Sequence, residues 1–465
     1  MYKHFRQRYK NSSYHEVVAV CLPLVLSMSA ATLMTFTDRI FLANYSLNAI
    51  SAALPASITS YLFVAFFGGV GGYAGVFIAQ YTGRGYHLKV GRVLWQGIYF
   101  TLGSGICFWL LALFATEPLF AFAGHPQDVQ ELERIYFSIL CKGAIFSVAT
   151  VTLSTFFTGR GLTRPVMLIT FLGVIINIPL DYALIFGYGI FPELGIKGAA
   201  IATVNAWIIE VVCLALLIFR HKNNLRFGVF TGYQFDRKIF SGLMRYGIPG
   251  ALQFTLDIFA FTLFVLIVGR IGKLELAATN IVISINSLAF MPSMGVSQGI
   301  SVLVGQALGR NKPQQAARYV WSGIHLLTAY IVCLDLLFIF APDFVLGPFI
   351  SAQQTSGDQE IILELGRKLL HIIAAYLLFD GLYMVFSGAL RGAGDTRFMM
   401  KAIALISMSC FVLPVYIGVQ FFQIDIITAW LWVVLFIVLL FCVSAWRYRV
   451  GLWKEMLVIE TEETK

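Results

Sequence analysis

Long apolar runs alternate with short polar segments along the whole chain. Each run extends over roughly 20 residues, which is long enough for a helix to cross a hydrocarbon core ~30 Å thick. The runs lack the residue-by-residue alternation that is typical of membrane β-barrel strands. The pattern therefore predicts an all-α polytopic membrane protein with twelve spans, at 17–41, 53–79, 93–115, 135–157, 165–187, 199–219, 246–268, 277–305, 319–342, 369–389, 402–421 and 427–446.

The composition supports this class. Of the 465 residues, 58% are hydrophobic and 12% are charged, whereas a soluble domain has about 25% charged residues. The net charge of +9 comes from Lys and Arg between the spans, so we expect the lipid bilayer as a partner and no nucleic acid. These residues concentrate at both chain ends and in the even-numbered loops, which predicts that both termini are cytoplasmic.

The two halves of the chain repeat in sequence. Without a gap, Pro23 aligns with Pro249 and Trp95 aligns with Trp321. Each half holds six predicted spans, so both cross the membrane in the same direction, as two six-helix bundles related by a pseudo-two-fold axis along the membrane normal. The predicted domains are an N-lobe at 1–219, a cytoplasmic linker at 220–245 and a C-lobe at 246–465 with the C-terminal tail.

Six acidic residues lie well inside the predicted spans. Each costs about 2.5–3.5 kcal/mol at the centre of a membrane helix, so it needs a proton, a cation, a polar partner or a water-filled cavity. Three of them have a polar side chain one helical turn earlier on the same face. The pairs are Asn177 with Asp181, Gln253 with Asp257 and Tyr376 with Asp380. Glu210 and Asp335 lack such a partner, and Asp38 is the sixth acid.

Four of these acids break the symmetry of the repeat. Asp38 aligns with Phe264, and Asp257 aligns with Ala31. Asp181 and Asp380 likewise have no acidic counterpart in the other half. Scaffold residues tend to recur across a repeat, so these acids favour a role in holding a proton or an ion. The alternative is a buried hydrogen bond between helices.

Pro23 lies in the first span, fifteen residues before Asp38. A proline inside a helix removes a hydrogen bond and kinks the helix. We therefore expect Pro23 to let the first helix bend and so expose or hide Asp38. The alternative is a kink that packing holds fixed.

Neither a catalytic set nor a metal cluster is visible in the sequence. The stretch "HEVVA" at 15–19 departs from the H-E-x-x-H motif, and "FFGGVGGYAG" at 66–75 lacks the spacing of a phosphate-binding loop. The seven histidines are scattered. We expect no enzyme activity and no bound cofactor beyond a coupling ion.

Five stretches resemble the multidrug and toxic compound extrusion (MATE) transporters. The resemblance covers nearly the whole chain. The similar stretches are "TDRIFLA" (37–43), "NIPLDYALIFG" (177–187), "GIKGAAIAT" (195–203), "IPGALQFTLD" (248–257) and "YLLFDGLYMVFSGALRGAGD" (376–395).

The resemblance implies two ion-coupling sites. The first three motifs are similar to DinF-type members and imply an N-lobe site at Asp38, Asn177, Asp181 and Thr203. The last two are similar to NorM-type members and imply a C-lobe site at Asp257, Tyr376 and Asp380, with Asp257 where Glu is usual. The coupling ion is H⁺ or Na⁺. A Na⁺ ion would be held by Asp38, Asn177 and Asp181, or by Asp257 and Asp380.

The function that the resemblance implies is secondary active efflux of amphipathic, cationic organic compounds in exchange for H⁺ or Na⁺. The substrates are expected to be small molecules, with Tyr61, Gln253 and Asn286 as candidate binding residues. The protein is expected to act as a monomer in the bacterial inner membrane. The alternative is a lipid-linked oligosaccharide flippase of the same superfamily, although its cationic cavity differs from the mainly acidic charges here.

Overall fold

The computed structural model describes residues 13–123, 125–349 and 356–459, and within these ranges the chain is helical with no strand. Twelve helices are long and apolar enough to cross a membrane. The predicted cytoplasmic termini, at 1–12 and 460–465, lie outside the described residues. The twelve helices are α1 Ser13–Tyr45, α2 Leu47–Arg84, α3 His87–Ala121, α4 Gln127–Thr158, α5 Thr163–Phe186, α6 Ile196–Ile218, α7 Arg237–Val268, α8 Lys273–Gly309, α9 Pro313–Phe340, α10 Ser356–Ala393, α11 Thr396–Phe421 and α12 Ile426–Val450.

The number of helices agrees with the sequence prediction, but every helix begins earlier than its predicted span, and most end later. The eighth span was expected at 277–305, and the helix covers Lys273–Gly309. Helical hydrogen bonding continues into the polar flanks, which an apolar pattern does not register. The predicted linker 220–245 contains a short helix, His221–Phe227, and its last residues already belong to α7.

Three of the long helices depart from regular α geometry. α2 is interrupted at Tyr73, between Leu47–Gly72 and Ala74–Arg84. A π-helical turn occurs at Leu111–Ala115 in α3, and another occurs at Met408–Val412 in α11. In α11 the turn ends two residues before Pro414, which has no backbone N–H to donate. The other described irregular pieces are the helix Pro342–Leu346 and the 3₁₀ turns Gly347–Phe349 and Leu452–Lys454.

The chain divides into two compact units. One comprises residues up to Val25, Gln253–Val304 and Lys312–Met456. The other comprises Leu26–Leu252, Gly305–Asn311 and the segment from Leu457 onward. We call these the second-half unit and the first-half unit, after the part of the chain that dominates each. The described residues 457–459, which follow α12, therefore belong to the first-half unit.

Small residues allow close helix packing in the first-half unit. α4 packs against α2, α3 and α6, and α5 packs against α6. A Cβ atom at Gly71 of α2 would collide with the Thr152 side chain of α4, and one at Gly143 of α4 would collide with Val204 of α6. Close approach through glycine is typical of membrane helices, which gain little from apolar burial in lipid.

The internal repeat is visible at one junction of this unit. A Cβ atom at Gly83 would collide with the carbonyl oxygen of Gln306, and one at Gly309 would collide with the carbonyl oxygen of Gln80. Gly83 aligns with Gly309 in the repeat, and Gln80 aligns with Gln306. The two aligned pairs make reciprocal contacts, which is the signature of a local two-fold axis.

Backbone contacts also bring α8 and α10 together in the second-half unit. Cβ atoms at Gly388 and Gly392 would meet the backbone of Ser297 and Ser301 respectively. The two glycines are one helical turn apart on one face of α10. α10 also packs against α9 and α12, so it is a central helix of its unit.

Candidate functional site

Four of the predicted site residues meet inside the first-half unit. α1 supplies Asp38, α5 supplies Asn177 and Asp181, and α6 supplies Thr203. Asn177 and Asp181 are fully buried, and Asp38 and Thr203 are 6% and 7% exposed. The three helices therefore gather two carboxyl groups, one amide and one hydroxyl away from the protein surface.

The two carboxyl groups lie against each other. Those of Asp38 and Asp181 are close enough to share a hydrogen bond. Thr203 Oγ1 donates to Asp38 Oδ2 at 3.4 Å. Among the described residues, no donor reaches Asp38 Oδ1 or either oxygen of Asp181. Since ionised carboxylates can only accept, a hydrogen bond between the two requires a proton on one of them.

Asn177 completes this group. Its Oδ1 and Nδ2 atoms are both buried, and neither has a hydrogen-bond partner within the described part of the chain. Asn177 lies one helical turn from Asp181 on the same face of α5. Its amide can accept and donate, so the group can hold a proton or, through the oxygens of Asn177 and Thr203, a hard cation such as Na⁺.

The sequence did not point to Tyr136, which lies near this group. Tyr136 of α4 is 5% exposed. Its hydroxyl is close enough to Asp38 and Asp181 to interact with their charges, and it lies within hydrogen-bond reach of the Ser57 hydroxyl. In sequence it is one aromatic residue in an amphipathic helix, without a spacing that would distinguish it from core packing. Only the packing of α4 against α2 reveals its position.

A second group of acids lies in the second-half unit. Asp380 of α10 is 8% exposed and Tyr376 is 1% exposed. Asp257 of α7 and Asp380 are close enough for their charges to interact, and Tyr376 also feels the charge of Asp380. Tyr376 Oη is buried, and no described residue forms a hydrogen bond with it. The three residues predicted for the C-lobe site are therefore neighbours.

Gln253 was paired with Asp257 by sequence spacing, but its amide is used by another helix. Gln253 Nε2 donates to Ser387 Oγ at 2.7 Å and to Tyr383 Oη at 3.3 Å. Tyr383 and Ser387 were not among the residues predicted from the sequence. Both share a helical face with Tyr376 and Asp380, because positions 376, 380, 383 and 387 are three or four residues apart. This three- and four-residue periodicity of polar side chains was the feature of the sequence that could have identified Tyr383 and Ser387.

The other predicted residues stand outside these two groups. Pro23 is buried within the unbroken helix α1. The Tyr61 side chain on α2 is 50% exposed. Asn286 Oδ1 on α8 and Asp335 Oδ1 on α9 are buried, and neither accepts a hydrogen bond from the described residues. The roles predicted for Pro23, Tyr61 and Asn286 stay predictions, and the sequence assigns no role to Asp335.

Ligands of a classical metal centre do not converge in the part of the chain that the structure describes. No three or more His, Cys, Asp or Glu side chains there could hold one metal ion. The two acidic groups instead combine carboxyl groups in pairs with amide and hydroxyl groups. Such a set suits a proton or a weakly held monovalent cation better than a resident transition metal.

Comparisons with known proteins give consistent matches. Residues 23–183 and 249–417 match the MatE family model. A probable multidrug resistance protein NorM of Thermotoga maritima is 26% identical over 456 residues, which cover 97% of this chain and 95% of that protein. A probable multidrug resistance protein NorM of Brucella suis biovar 1 is 29% identical over 391 residues, which cover 83% and 82%.

A solved structure shares the fold. An outward-facing multidrug resistance MATE family transporter of the MOP superfamily aligns with a TM-score of 0.86 at 20% identity, over 96% of this chain and 98% of that chain. The predicted fold class, an all-α protein with twelve membrane-crossing helices, is confirmed. The resemblance on which the sequence analysis relied is confirmed as well.

Proposed function

Because the chain belongs to the multidrug and toxic compound extrusion (MATE) family, we propose that it is a secondary active antiporter that exports amphipathic cationic organic compounds and takes up protons. The similar proteins are multidrug resistance proteins, and the solved neighbour is a transporter. These relatives support efflux and favour neither an enzyme nor the flippase alternative. Their names do not identify the coupling ion, so the choice of ion rests on the chemistry of the acidic groups.

The observation that carries proton coupling is the contact between the carboxyl groups of Asp38 and Asp181. Two unit charges 4 Å apart repel by about 4 kcal/mol at an effective dielectric constant of 20. Sharing one proton removes this repulsion and supplies the missing hydrogen-bond donor. The pair then titrates as a unit, so it can release and rebind one proton in each transport cycle.

Proton uptake can drive export because the pair changes charge. With one proton the pair carries a single negative charge, and a second proton makes it neutral. A cationic substrate is attracted by the charged state and released by the neutral one. Exchange of one proton for one monovalent cation moves no net charge, so the pH gradient supplies the driving force, about 1.4 kcal/mol for each tenfold difference in proton concentration.

Pro23 would provide the movement in α1. The helix passes from the second-half unit to the first-half unit between Val25 and Leu26, two residues after the proline. A proline weakens the helix at this point because it cannot donate a backbone hydrogen bond. In this proposal, protonation of Asp38 changes the bend at Pro23.

The acids of the second-half unit form a second coupling group in this proposal. Asp257 and Asp380 interact electrostatically, and Tyr376 offers a buried hydroxyl next to Asp380. Tyr61, Gln253 and Asn286 stay the candidate substrate contacts. We place the protein in the bacterial inner membrane as a monomer, with both termini in the cytoplasm, as the distribution of Lys and Arg favours.

Transport by reconstituted protein tests the function and its ion. Proteoliposomes loaded with a fluorescent organic cation are given an imposed pH gradient or an imposed Na⁺ gradient, each alone. The pH gradient should drive export, and Asp38→Asn should abolish it. Asp335→Asn is the matched control, because Asp335 is an acid within a span that lies in neither group, and it should retain export.

Two results would contradict the proposal. Export that follows only the Na⁺ gradient would overturn proton coupling while leaving efflux in place. Export that persists unchanged in Asp38→Asn, in Asp257→Asn and in the double variant would overturn coupling by these acids altogether.

A further inference from the structure

Glu210 is a buried acid that the proposed mechanism does not use. It lies on α6, and its side chain is 9% exposed. In the sequence it has no polar partner one helical turn earlier. The structure supplies its surroundings from α4 and α5, within the same unit as Asp38 and Asp181.

Gly173 creates the space for the Glu210 carboxyl group. A Cβ atom at Gly173 would lie 2.5 Å from Glu210 Oε1 and 3.1 Å from Glu210 Cδ. Any side chain at position 173 would therefore push the carboxyl group away from α5. The glycine lets the carboxyl group reach the surface of α5, where a polar stripe begins.

This stripe consists of Gly173, Asn177 and Asp181, which follow one another by one helical turn on one face of α5. Thr203 and Glu210 lie two turns apart on the facing helix, α6. Thr203 contacts Asp38 beside Asp181, and Glu210 contacts the stripe at Gly173. Asn177 lies on α5 between Gly173 and Asp181 and is fully buried. Within the described residues, both of its polar side-chain atoms lack a hydrogen-bond partner.

Thr150 of α4 is the remaining polar neighbour of Glu210. Its hydroxyl lies within hydrogen-bond reach of the Glu210 carboxyl group, and no described group makes a regular hydrogen bond to Thr150 Oγ1. Among the described residues, Glu210 forms no salt bridge with Lys, Arg or His. No ion-pair partner there holds its carboxyl group in the ionised form.

We propose that Glu210 is a proton relay of the first-half unit, which receives the proton from the Asp38–Asp181 pair and passes it toward the cytoplasm. The inference rests on the proposed proton-coupled efflux. With a cytoplasmic N-terminus, α6 runs inward, so Glu210 lies on the cytoplasmic side of Thr203. The eight residues from Asp181 to Gly173 span roughly 12 Å of helix.

The transfer is a simple proton movement. The carboxyl O–H bond of the aspartate pair breaks, the proton moves along water that is hydrogen-bonded to the Asn177 amide, and an O–H bond forms on the Glu210 carboxylate. The pair recovers its charge for the next substrate. Glu210 then loses the proton to cytoplasmic water, so no other reactant is consumed.

The experiment compares Glu210→Gln with the wild-type protein and with Asp38→Asn in the proteoliposome assay. Glu210→Gln keeps the size of the side chain and its place beside Thr150, but it cannot carry the proton. We expect export driven by a pH gradient to fall at least tenfold, with unchanged binding of the fluorescent cation in detergent. Glu210→Asp should restore part of the rate with a shifted pH profile.

Gly173→Ala gives a second measurement that leaves Glu210 in place. The new methyl group displaces the carboxyl group from the stripe, so export should slow and its pH profile should shift. If wild-type export follows the pH gradient and Asp38→Asn abolishes it, while Glu210→Gln keeps the wild-type rate and pH profile, the relay is refuted and the proposed function stands. A purely structural role would lower the rate of Glu210→Gln equally at every pH, and that result also refutes the relay.

Discussion

Arg447 Nε donates a hydrogen bond of 2.6 Å to Asp395 Oδ2, and the two side chains are only 17% and 7% exposed. A second hydrogen bond of 3.3 Å joins Arg447 Nη2 to Asp395 Oδ1. The pair joins α12 to the residue that precedes α11. An ion pair that is largely buried and joined by two hydrogen bonds holds the end of α12 against the start of α11.

We predict that Asp395→Asn lowers the free energy of unfolding by about 3–5 kcal/mol, because it leaves the Arg447 charge buried and uncompensated. Thermal unfolding of the purified protein measures the effect. Asp343→Asn is the matched control, since Asp343 also accepts two hydrogen bonds from an arginine, Arg367, but is 61% exposed. The control should change stability little, because water and salt screen an exposed ion pair. Equal losses in both variants would contradict the prediction.

The amide of Gln253 joins α7 to α10 through Ser387 and Tyr383. We predict that Gln253→Leu destabilises the protein by about 1–3 kcal/mol, because two buried hydroxyl groups lose their partner. Gln420→Leu removes an exposed hydrogen bond to Arg270 and should change stability little. Thermal unfolding of single and double variants with Ser387→Ala should show non-additive losses, and additive losses would argue against this contact.

Residues 457–459, which follow α12, pack into the core of the first-half unit. The Val458 backbone N–H donates to Gln80 Oε1 at 2.8 Å, and the Val458 and Ile459 side chains are 9% and 6% exposed. We predict that Val458→Pro is less stable than Val458→Ala by about 1–3 kcal/mol, because only proline removes the donor. Both variants lose the valine side chain, so the difference between them reports the loss of the backbone donor. Equal melting temperatures would exclude a contribution from this hydrogen bond.

Asp425 caps the amino end of α12. It accepts hydrogen bonds from Thr428 Oγ1 at 2.5 Å and from the Thr428 backbone N–H at 3.2 Å, and these bonds, the side-chain one foremost, lower the pKa of its carboxyl group. The stabilisation is complete above the ordinary aspartate pKa of about 3.9. It is lost as the pH falls through the lowered pKa of the folded protein.

We therefore predict that Asp425→Ala costs about 1 kcal/mol at pH 7 and less at a pH below the folded pKa. Melting temperatures of the variant and the wild-type protein, measured across the acidic range, check this. Asp425→Asn keeps a neutral cap and should show a stability difference from Asp425→Ala that does not depend on pH. A gap between Asp425→Ala and wild type that stays constant into acid would contradict the role of the charge.

The sequence by itself determined the membrane class, the twelve helices and the candidate acids. Hydrophobic runs of membrane length have one stable outcome in lipid, because every backbone hydrogen bond must be made within the segment. The spacing of Asn177 and Asp181 follows from helix geometry alone, since four residues complete about one turn. The motifs around Asp38 and Asp380 were enough to predict the family, which the MatE match confirms.

Only the tertiary structure decided which side chains meet. Asp38 and Asp181 are 143 positions apart, and their contact depends on the packing of α1 beside α5 and α6. The Gln253 amide donates a hydrogen bond to Ser387 on α10, although the sequence spacing paired it with Asp257. The Glu210 carboxyl group lies against Gly173, where any side chain would collide with it. Helix periodicity fixes the faces that side chains share, whereas the pairing of faces between helices depends on packing that local sequence does not encode.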